Sequence, residues 1–369
     1  MPTLAGQDAR YFVKAMNAYA DGERQHEGMF QAVDGLSDTD FQNLAAFYAQ
    51  QEPLKVAYLG PEGTFTQQAV HRHFGHSVHA SSLPTIDEVF EQVQSGDSDF
   101  GVVPVENSTQ GIVSHTLDMF LFSDLKICGE IELRVRQNLL TLAKSLNQVE
   151  RVYSHEQSLS QCKNWLRTHL PGVELIAVSS NSEAARRVRG TPESAAIGGR
   201  SAAEVYGLPV LFADIEDHPD NTTRFLVIGR EIFAPSGHDK TTLLLTGGEG
   251  PGALHQLLEP FHVHGINMTR IESRPSRAGK WAYVFFVDIE GHAEESPVAD
   301  ALAELDRVVR DFPGQGLRVL RERSERAGPE PEHNCPTDPR RTGRADLLHR
   351  VGRQRDRWVR QPRQPGRQP

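Results

Sequence analysis

Residues 55–230 alternate short apolar stretches with amphipathic ones, and this alternation limits the possible fold more than any other feature of the 369-residue chain. KVAYLG at 55–60 has the pattern of a strand, and the loop after it leads into TQQAVHRHFG, which has the pattern of a helix. FGVVPVEN at 100–107 is a continuous apolar stretch, typical of a strand buried on both faces. Strands alternating with helices in this way predict a mainly parallel α/β fold.

The pattern changes on both sides of this region. Residues 1–52 are mainly helical in pattern, and Ser37 and Asp38 are candidate N-caps for their last helix. The apolar face of that helix is expected to contain Phe41, Leu44, Ala45 and Tyr48. Pro53 ends the segment, and APSGHD at 234–239 marks a second break. We therefore expect a helical segment at 1–52 and an α/β domain at 55–233.

Residues 240–320 predict a second, smaller domain. KTTLLLTG, INMTRIESRP, WAYVFFVDIEG and GLRVL have the composition of strands, and two amphipathic helical stretches lie between them. The resulting order, βαββαβ, is that of a compact ferredoxin-like module.

Residues 321–369 differ in composition from the rest of the chain. They hold thirteen Arg, seven acidic residues and seven Pro without apolar periodicity, so we predict that they are disordered. The other 320 residues hold 26 basic and 42 acidic side chains, and this negative surplus disfavours nucleic acid as a partner. A basic nucleic-acid-binding arm in the tail ranks below plain disorder.

The sequence also indicates where the protein resides. No apolar stretch approaches the roughly 18 residues that span a bilayer, and the first residues lack the pattern of a secretory signal. Cys128, Cys162 and Cys335 are scattered without metal-binding or redox spacing. We therefore expect a cytoplasmic protein that has no membrane partner and no metal.

Four polar clusters lie beside the ends of predicted strands. They are Pro61–Glu62–Gly63–Thr64, Glu106–Asn107–Ser108–Thr109, Ser154–His155 with Gln161, and Asn221–Thr222–Thr223–Arg224. Each cluster alone is compatible with an ordinary turn or helix cap. Their recurrence at equivalent places in an α/β fold favours a ligand cleft.

The residue types in these clusters limit the chemistry of such a cleft. They include no nucleophile–base pair, since His155 is the only histidine nearby. The chain contains neither a metal-binding spacing such as CxxC nor a Walker A or GxGxxG loop. Hydroxyls and amides remain, together with Arg224 and Glu106. Such a set can hold a small anion and donate hydrogen bonds to a leaving oxygen, with no cofactor.

The motifs VAYLGPEGTFTQQAV (56–70), GVVPVENSTQGIV (101–113), VYSHEQSLSQC (152–162) and NTTRFLVIG (221–229) resemble those of prephenate dehydratase. GALH at 252–255 and ESRP at 272–275 resemble motifs of the ACT regulatory domain that follows it. The region 55–320 is similar to the dehydratase half of bifunctional chorismate mutase–prephenate dehydratase proteins. The resemblance implies a two-lobed catalytic domain of the periplasmic-binding-protein type and an ACT module.

The resemblance further implies that the protein converts prephenate to phenylpyruvate. It assigns catalytic roles to Thr223, Glu106, Asn107, Ser154 and Gln161. It assigns substrate contacts to Gly63, Thr64, Ser108, Thr222, Arg224 and Phe225. Thr223 would donate to the departing hydroxyl, backed by water or Glu106. Arg224 would clamp a carboxylate; alternatively, strand alternation turns it away, and backbone amides of the two loops hold the carboxylates.

In the ACT module, the resemblance implies a site for phenylalanine as a feedback effector, held between protomers of a homodimer or homotetramer. The residues implied are Gly252, Ala253, Leu254, His255, Asn267, Glu272, Ser273, Arg274 and Pro275. The free N–H groups of a helix that begins at Gly252 suit a carboxylate. An ordinary helix cap would also account for that glycine.

Residues 1–52 depart from the bifunctional proteins. They lack the arginine and lysine pattern of a chorismate mutase domain, so we expect no mutase activity. They resemble instead the C-terminal half of a class I cytochrome c, in which Met29 would be the axial ligand. CxxCH is absent from the whole chain, so we expect no haem.

Two other functional classes remain open from the sequence. One is a non-catalytic amino-acid sensor, because two α/β lobes around a cleft and an ACT module both occur in ligand-binding proteins. The other is an electron-transfer protein based on residues 1–52, which a missing haem absorption band would eliminate.

Overall fold

The computed structural model describes residues 6–24, 32–231, 235–246, 250–276, 283–311 and 316–320. The predicted disordered tail at 321–369, Cys335 and the proposed axial Met29 lie outside these residues. The described chain divides at Pro53 and Leu54 into a small helical unit and a large unit. Within the described ranges, no helix is both long enough and apolar enough to cross a membrane.

The small unit contains two well-defined helices, α1 (Ala9–Ala20) and α2 (Asp38–Ala49). Ser37 begins α2 as predicted, because its hydroxyl accepts from the Asp40 amide while the Asp40 carboxylate accepts from the Ser37 amide. The two helices bury a common apolar cluster that includes Phe12, Met16, Phe41 and Ala45. The predicted apolar face of α2 is confirmed for Phe41 and Ala45, each 2% exposed.

The first lobe of the large unit is a sheet with helices on both faces. Its strands are β1 (Lys55–Leu59), β2 (His79–Leu83), β3 (Phe100–Asn107), β4 (Gly111–Ile112), β5 (Lys126–Arg134) and β11 (Thr222–Gly229), in the order β2-β1-β3-β11-β5 with β4 against β3. Its helices are α3 (Phe65–Phe74), α4 (Ile86–Ser95) and α5 (Ser114–Met119). One face packs on α3 and the other on α4 and α5, so β3 is buried on both sides as predicted.

The second lobe repeats this arrangement. Its strands are β6 (Asn138–Thr141), β7 (Arg151–His155), β8 (Glu174–Val178), β9 (Ser194–Gly198) and β10 (Val210–Phe212), in the order β10-β6-β9-β7-β8. Its helices are α6 (Glu156–Gln161), α7 (Lys163–His169), α8 (Asn181–Val188) and α9 (Arg200–Tyr206). Ser180 caps α8, since its hydroxyl accepts from the Glu183 amide at the start of the helix.

The chain enters the second lobe after β5 and returns through β11, which lies antiparallel to both β3 and β5. The α/β class is confirmed, but β11, an inner strand of the first sheet, is not parallel to its neighbours. The strand also includes most of the polar cluster that the sequence placed beside it, since Thr222 already pairs with Arg134 of β5. Hydrogen bonds to both neighbouring strands therefore hold the polar residues before Phe225.

The C-terminal module has the predicted βαββαβ order. Its elements are β12 (Lys240–Thr246), α10 (Ala253–Val263), β13 (Met268–Pro275), β14 (Tyr283–Glu290), α11 (Val298–Asp311) and β15 (Gly316–Val319), with the sheet order β13-β14-β12-β15. Both helices cover one face of the sheet through Leu257, Phe261 and Leu305. The other face places Leu244 and Phe286 in the core that α4, α5 and β11 share. The module is thus packed directly on the first lobe.

Candidate active site

Thr223 and Asn107 lie side by side on two neighbouring inner strands of the first sheet, where β3 ends. They are register partners on β11 and β3, and Asn107 Nδ2 donates to Thr223 Oγ1 over 2.8 Å. The two residues are 116 positions apart in the chain. The pair therefore exists only because β11 returns beside β3.

The orientation of the Asn107 amide follows from its other contacts. Its Oδ1 accepts from the backbone N–H and the hydroxyl of Thr109, at 3.1 and 2.6 Å. A backbone N–H can only donate, so the oxygen must face Thr109 and the nitrogen must face Thr223. Thr223 Oγ1 is therefore an acceptor toward Asn107, and its own proton stays available for a bound group.

Asn221 supports this pair through a hydrogen bond to Asn107. Asn107 Nδ2 also donates to Asn221 Oδ1 over 2.9 Å, and Asn221 is only 1% exposed. The sequence placed Asn221 in a polar cluster but gave it no role. A buried asparagine directly before a core strand was the available signal, since buried polar side chains are almost always hydrogen-bonded.

Thr222 and Ser108 bind each other. The Thr222 amide donates to Ser108 Oγ over 3.0 Å, and the Ser108 amide donates to the Thr222 carbonyl over 2.9 Å. The amide of Thr109 is used by Asn107. The backbone amides of this loop therefore donate within the β3–β11 pair. These bonds were not anticipated from the sequence, which predicted substrate contacts for Thr222 and Ser108.

The loop after β1 contacts the second lobe at Gly63. Gly63 has φ +85°, and its amide donates to Gln67 Oε1 over 2.6 Å, while Thr64 caps α3. A Cβ on Gly63 would lie 3.0 Å from the Cα of Ala202 on α9. The glycine therefore serves both a left-handed turn and a close approach between the lobes.

Gly63→Ala should lower the stability of the protein by about 1–3 kcal/mol, since both the positive φ and the approach to Ala202 disfavour a methyl group. Gly172→Ala is the matched control, because Gly172 has φ +83° and a Cβ added to it would meet nothing within 4 Å. Urea unfolding followed by circular dichroism measures both. Equal losses in the two variants would contradict the proposed contact between the lobes.

Ser154 is the second-to-last residue of β7 and lies inside a buried network. Its hydroxyl lies 2.9 Å from Asn181 Oδ1 and 2.9 Å from the Ile197 carbonyl oxygen, and the residue is fully buried. Asn181 Oδ1 also accepts from the His155 amide over 3.2 Å. Asn181 thus fixes the end of β7, a role that no motif in the sequence indicated.

The same network continues to Gln161. Gln137 Nε2 donates to Gln161 Oε1 and to Ser158 Oγ, each over 3.0 Å, and Asn181 Nδ2 donates to Ser158 Oγ over 2.9 Å. The backbone N–H of Gln137 donates to the Glu216 carboxylate. Burial raises the pKa of that carboxyl above its ordinary value. Of the predicted catalytic residues, Ser154 and Gln161 thus share one hydrogen-bonded assembly in the second lobe.

Arg224 and Glu106 lie on the face of the sheet opposite Thr223 and Asn107, because adjacent strand residues alternate. Arg224 reaches three carboxylates: Asp288 at 3.4 Å, Glu130 at 3.5 Å and Glu106 at 3.6 Å. Burial lowers the pKa of Arg224, but these carboxylates outweigh it and the net pKa is raised. The geometry favours the alternative in which Arg224 points away from the substrate, and it separates Glu106 from Thr223.

Phe225 also departs from its predicted position. It is 2% exposed and packs in the core between α3 and the sheet, with Tyr58, Leu133 and Val227. The structure therefore does not support the predicted contact between Phe225 and the substrate. Alternation places Phe225 on the same face as Thr223, but Phe225 lies two residues further into the sheet, where α3 covers it.

The predicted effector residues lie at the start of α10, directly before β13 and along the C-terminal half of β13. Gly252 adopts φ +84° as the N-cap, and the first intrahelical bond runs from Gln256 to Gly252. The backbone N–H groups of Leu254 and His255 lie before the donor of that bond, so they have no acceptor within the helix. They can therefore donate to a carboxylate. The Asn267 carbonyl is already used, since it accepts from the Glu290 amide over 3.0 Å.

The ESRP motif lies on β13, and its side chains alternate. Ser273 and Pro275 are exposed, whereas Glu272 and Arg274 are half-buried. Arg274 donates to Asp118 through Nε and Nη2 at 3.0–3.1 Å and to Ser114 Oγ over 3.0 Å. This arginine therefore binds α5 of the first lobe.

Comparisons with known proteins agree with these features. The model of the family described as prephenate dehydratase matches residues 56–232, and that described as ACT domain matches 241–307. The bifunctional chorismate mutase/prephenate dehydratase of Pseudomonas aeruginosa is 53% identical over 263 residues, covering 71% of this chain and 72% of that protein. The protein of the same name from Aquifex aeolicus is 47% identical over 262 residues, with the same coverage.

A solved structure gives the same result. The crystal structure of prephenate dehydratase from Arthrobacter aurescens in complex with L-Phe is 32% identical, with a TM-score of 0.66. It covers 83% of this chain and 99% of its own. The resemblance that the sequence motifs indicated is confirmed. The chain belongs to the prephenate dehydratase family and carries an ACT domain after the dehydratase region.

Proposed function

We propose that this protein converts prephenate to phenylpyruvate, carbon dioxide and water, a step of phenylalanine biosynthesis. The observation that carries the proposal is the Thr223–Asn107 pair, which presents a hydroxyl proton at the edge of the sheet in a chain of this family. The reaction makes an aromatic ring, which supplies its driving force. The protein then has to orient the substrate and assist the departure of one oxygen.

The bonds balance as follows. The bond between the ring and its carboxylate breaks, and its electron pair enters the ring as carbon dioxide leaves. The ring then expels the hydroxyl group by cleavage of its C–O bond. Thr223 Oγ1 donates a hydrogen bond to that oxygen, and one proton completes a water molecule. Asn107 keeps the Thr223 oxygen in place while the proton is shared. Solvent restores the proton.

The test is phenylpyruvate formation from prephenate, followed by its absorbance in alkali. Turnover by the purified full chain is expected, and its absence would contradict the proposal. The other candidate, a non-catalytic amino-acid sensor, predicts ligand binding without turnover. The Thr223–Asn107 contact favours the enzyme, since a sensor has no need for an unshared hydroxyl proton at this edge. Chorismate in the same assay should remain unconsumed, because residues 1–52 lack the mutase pattern.

We further propose that the ACT module binds phenylalanine as a feedback effector. The amides at the start of α10 suit its carboxylate, and the exposed side of β13 lies at the edge of the sheet. An edge strand with exposed Met268 and Ile271 also suits pairing with a second copy. We propose a homodimer or homotetramer on this basis, and a cytoplasmic enzyme.

Arg274→Gln separates effector binding from inhibition. Because Arg274 binds Asp118 and Ser114, we expect its loss to leave the phenylalanine Kd within about threefold while inhibition of turnover largely disappears. Asp118→Asn, on the other side of the contact, should behave alike. Calorimetry measures binding and the prephenate assay measures inhibition. A phenylalanine Kd raised about tenfold in Arg274→Gln alone would show instead that Arg274 contacts the effector.

A further inference from the structure

Six charged side chains meet between the first lobe and the ACT module. Three are cations and three are carboxylates: Arg224, Lys240, Arg270, Glu106, Glu130 and Asp288. We call this set the interdomain charge cluster. Its charges balance, and all but Glu106 have side chains at most 15% exposed. At such burial a lost partner is not replaced by bulk water, so each member depends on the others.

The cluster lies directly behind the Thr223–Asn107 pair. Arg224 follows Thr223 on β11, and Glu106 precedes Asn107 on β3; the two are register partners. Arg224 Nε lies 3.6 Å from Glu106 Oε2, beyond hydrogen-bond distance. The β3–β11 register also shifts between Arg224 and Phe225. This ion pair therefore adds little to the backbone pairing that already joins β3 and β11, and the side chain of Arg224 is held mainly by the rest of the cluster.

The ACT module supplies the firmer contacts. Arg224 Nη1 and Nη2 both lie 3.4 Å from Asp288 Oδ2. Thr242 on β12 donates to Asp288 Oδ1 over 2.8 Å, so this carboxylate is fixed within its own sheet. Arg270 on β13 completes the arrangement, 3.8 Å from Asp288 and 3.9 Å from Glu106.

The balance of charge makes the geometry sensitive to any one member. Without Asp288, Arg224 and Arg270 would share Glu106 and Glu130 with Lys240, giving three cations for two carboxylates. Arg224 would then turn toward the remaining carboxylates and carry its strand neighbour with it. A displacement of about 1 Å at a reacting group can cost roughly 100-fold in rate.

We propose that Asp288 and Arg270 of the ACT module are positioning residues for the reaction: acting through Arg224 and Glu106, they hold Thr223 and Asn107 in register. This inference rests on the proposed function. The cluster would also couple effector binding to the cleft, because Arg270 lies on the same strand as the ESRP motif. A shift of β13 would move a member of the cluster.

The test uses kcat and KM for prephenate with the full chain. Asp288→Asn should lower kcat about tenfold and change KM less than about threefold, since orientation rather than binding is affected. Asp288→Glu keeps the charge and should recover most of kcat. Glu304→Gln is the matched control, because Glu304 pairs with His264 inside the ACT module and should leave kcat unchanged. Arg270→Gln is measured in parallel, in case Asp288→Asn fails to fold, with the same expected pattern.

A double-mutant cycle with Asn107→Ala excludes a merely structural effect. If Asp288 acts by keeping Asn107 and Thr223 in register, Asp288→Asn should cost less than about twofold once Asn107 is removed. An equal tenfold loss in both backgrounds would overturn the inference. So would kcat within twofold of wild type in both Asp288→Asn and Arg270→Gln. A wild-type chain without prephenate turnover would overturn the proposed function and this inference together.

Discussion

Replacing Thr223 by valine is expected to lower kcat for prephenate by about 100- to 1,000-fold, the loss usual for one well-placed donor to a developing negative charge. Valine keeps the volume and branching of threonine and removes only the hydroxyl. Asn107 Nδ2 loses the Thr223 contact but keeps its bond to Asn221 Oδ1, so the edge of the sheet should stay folded. The measurement is kcat from phenylpyruvate formation, with circular dichroism to verify folding.

Thr223→Ser is the matched variant for this prediction. Serine retains the hydroxyl and can accept from Asn107, so at least about a tenth of wild-type kcat should remain. The smaller loss would reflect a side chain that is free to rotate, since threonine is stiffer about χ1. A Thr223→Val protein with near-normal turnover would contradict the role of the hydroxyl.

Replacing Arg224 by methionine should lower the free energy of unfolding by about 3–5 kcal/mol. The loss is large because the buried carboxylates of Glu130 and Asp288 would lose their shared cation, and an uncompensated buried charge is strongly destabilising. Both carboxylates are only 6% exposed. The measurement is urea unfolding, followed by circular dichroism.

Arg151→Met is the control for the Arg224 prediction. Arg151 pairs with Glu174 at 3.5 Å, but their side chains are 42% and 65% exposed. Such surface pairs contribute about 0–1 kcal/mol, so its loss should change stability little. If Arg224→Met cost no more than Arg151→Met, the interdomain charge cluster would not support the fold.

Local patterns in the sequence were sufficient for most of the elements. Apolar periodicity predicted the α/β region and the βαββαβ module, and the polar residues before α2 predicted its cap, Ser37. These features depend on neighbours within about four positions, so they can be read directly from the chain. The direction of β11 could not be read, because backbone hydrogen bonds can join a strand to its neighbours in either direction.

In the candidate site, too, the sequence indicated single residues, and only the folded chain showed how they are connected. The sequence motifs named Thr223 and Asn107 separately, and they named Ser154 and Gln161 separately. Thr223 and Asn107 are joined directly, with Asn221 bound to Asn107, whereas Ser154 and Gln161 are joined through Asn181, Ser158 and Gln137. These hydrogen bonds appear only in the folded chain. Those partners looked like ordinary loop residues, because their burial depends on segments far away in the sequence.

The sequence by itself determined the family, the two kinds of domain and the polar clusters beside the strands. Only the tertiary structure decided whether a polar residue on these strands faces the cleft or the ACT module. Thr223 and Asn107 share one face of the β3–β11 pair, while Arg224 and Glu106 share the other and meet Asp288 of the ACT module. The physical reason is that side chains alternate along a strand, but the face that becomes the cleft is set by which distant segments pack against the sheet.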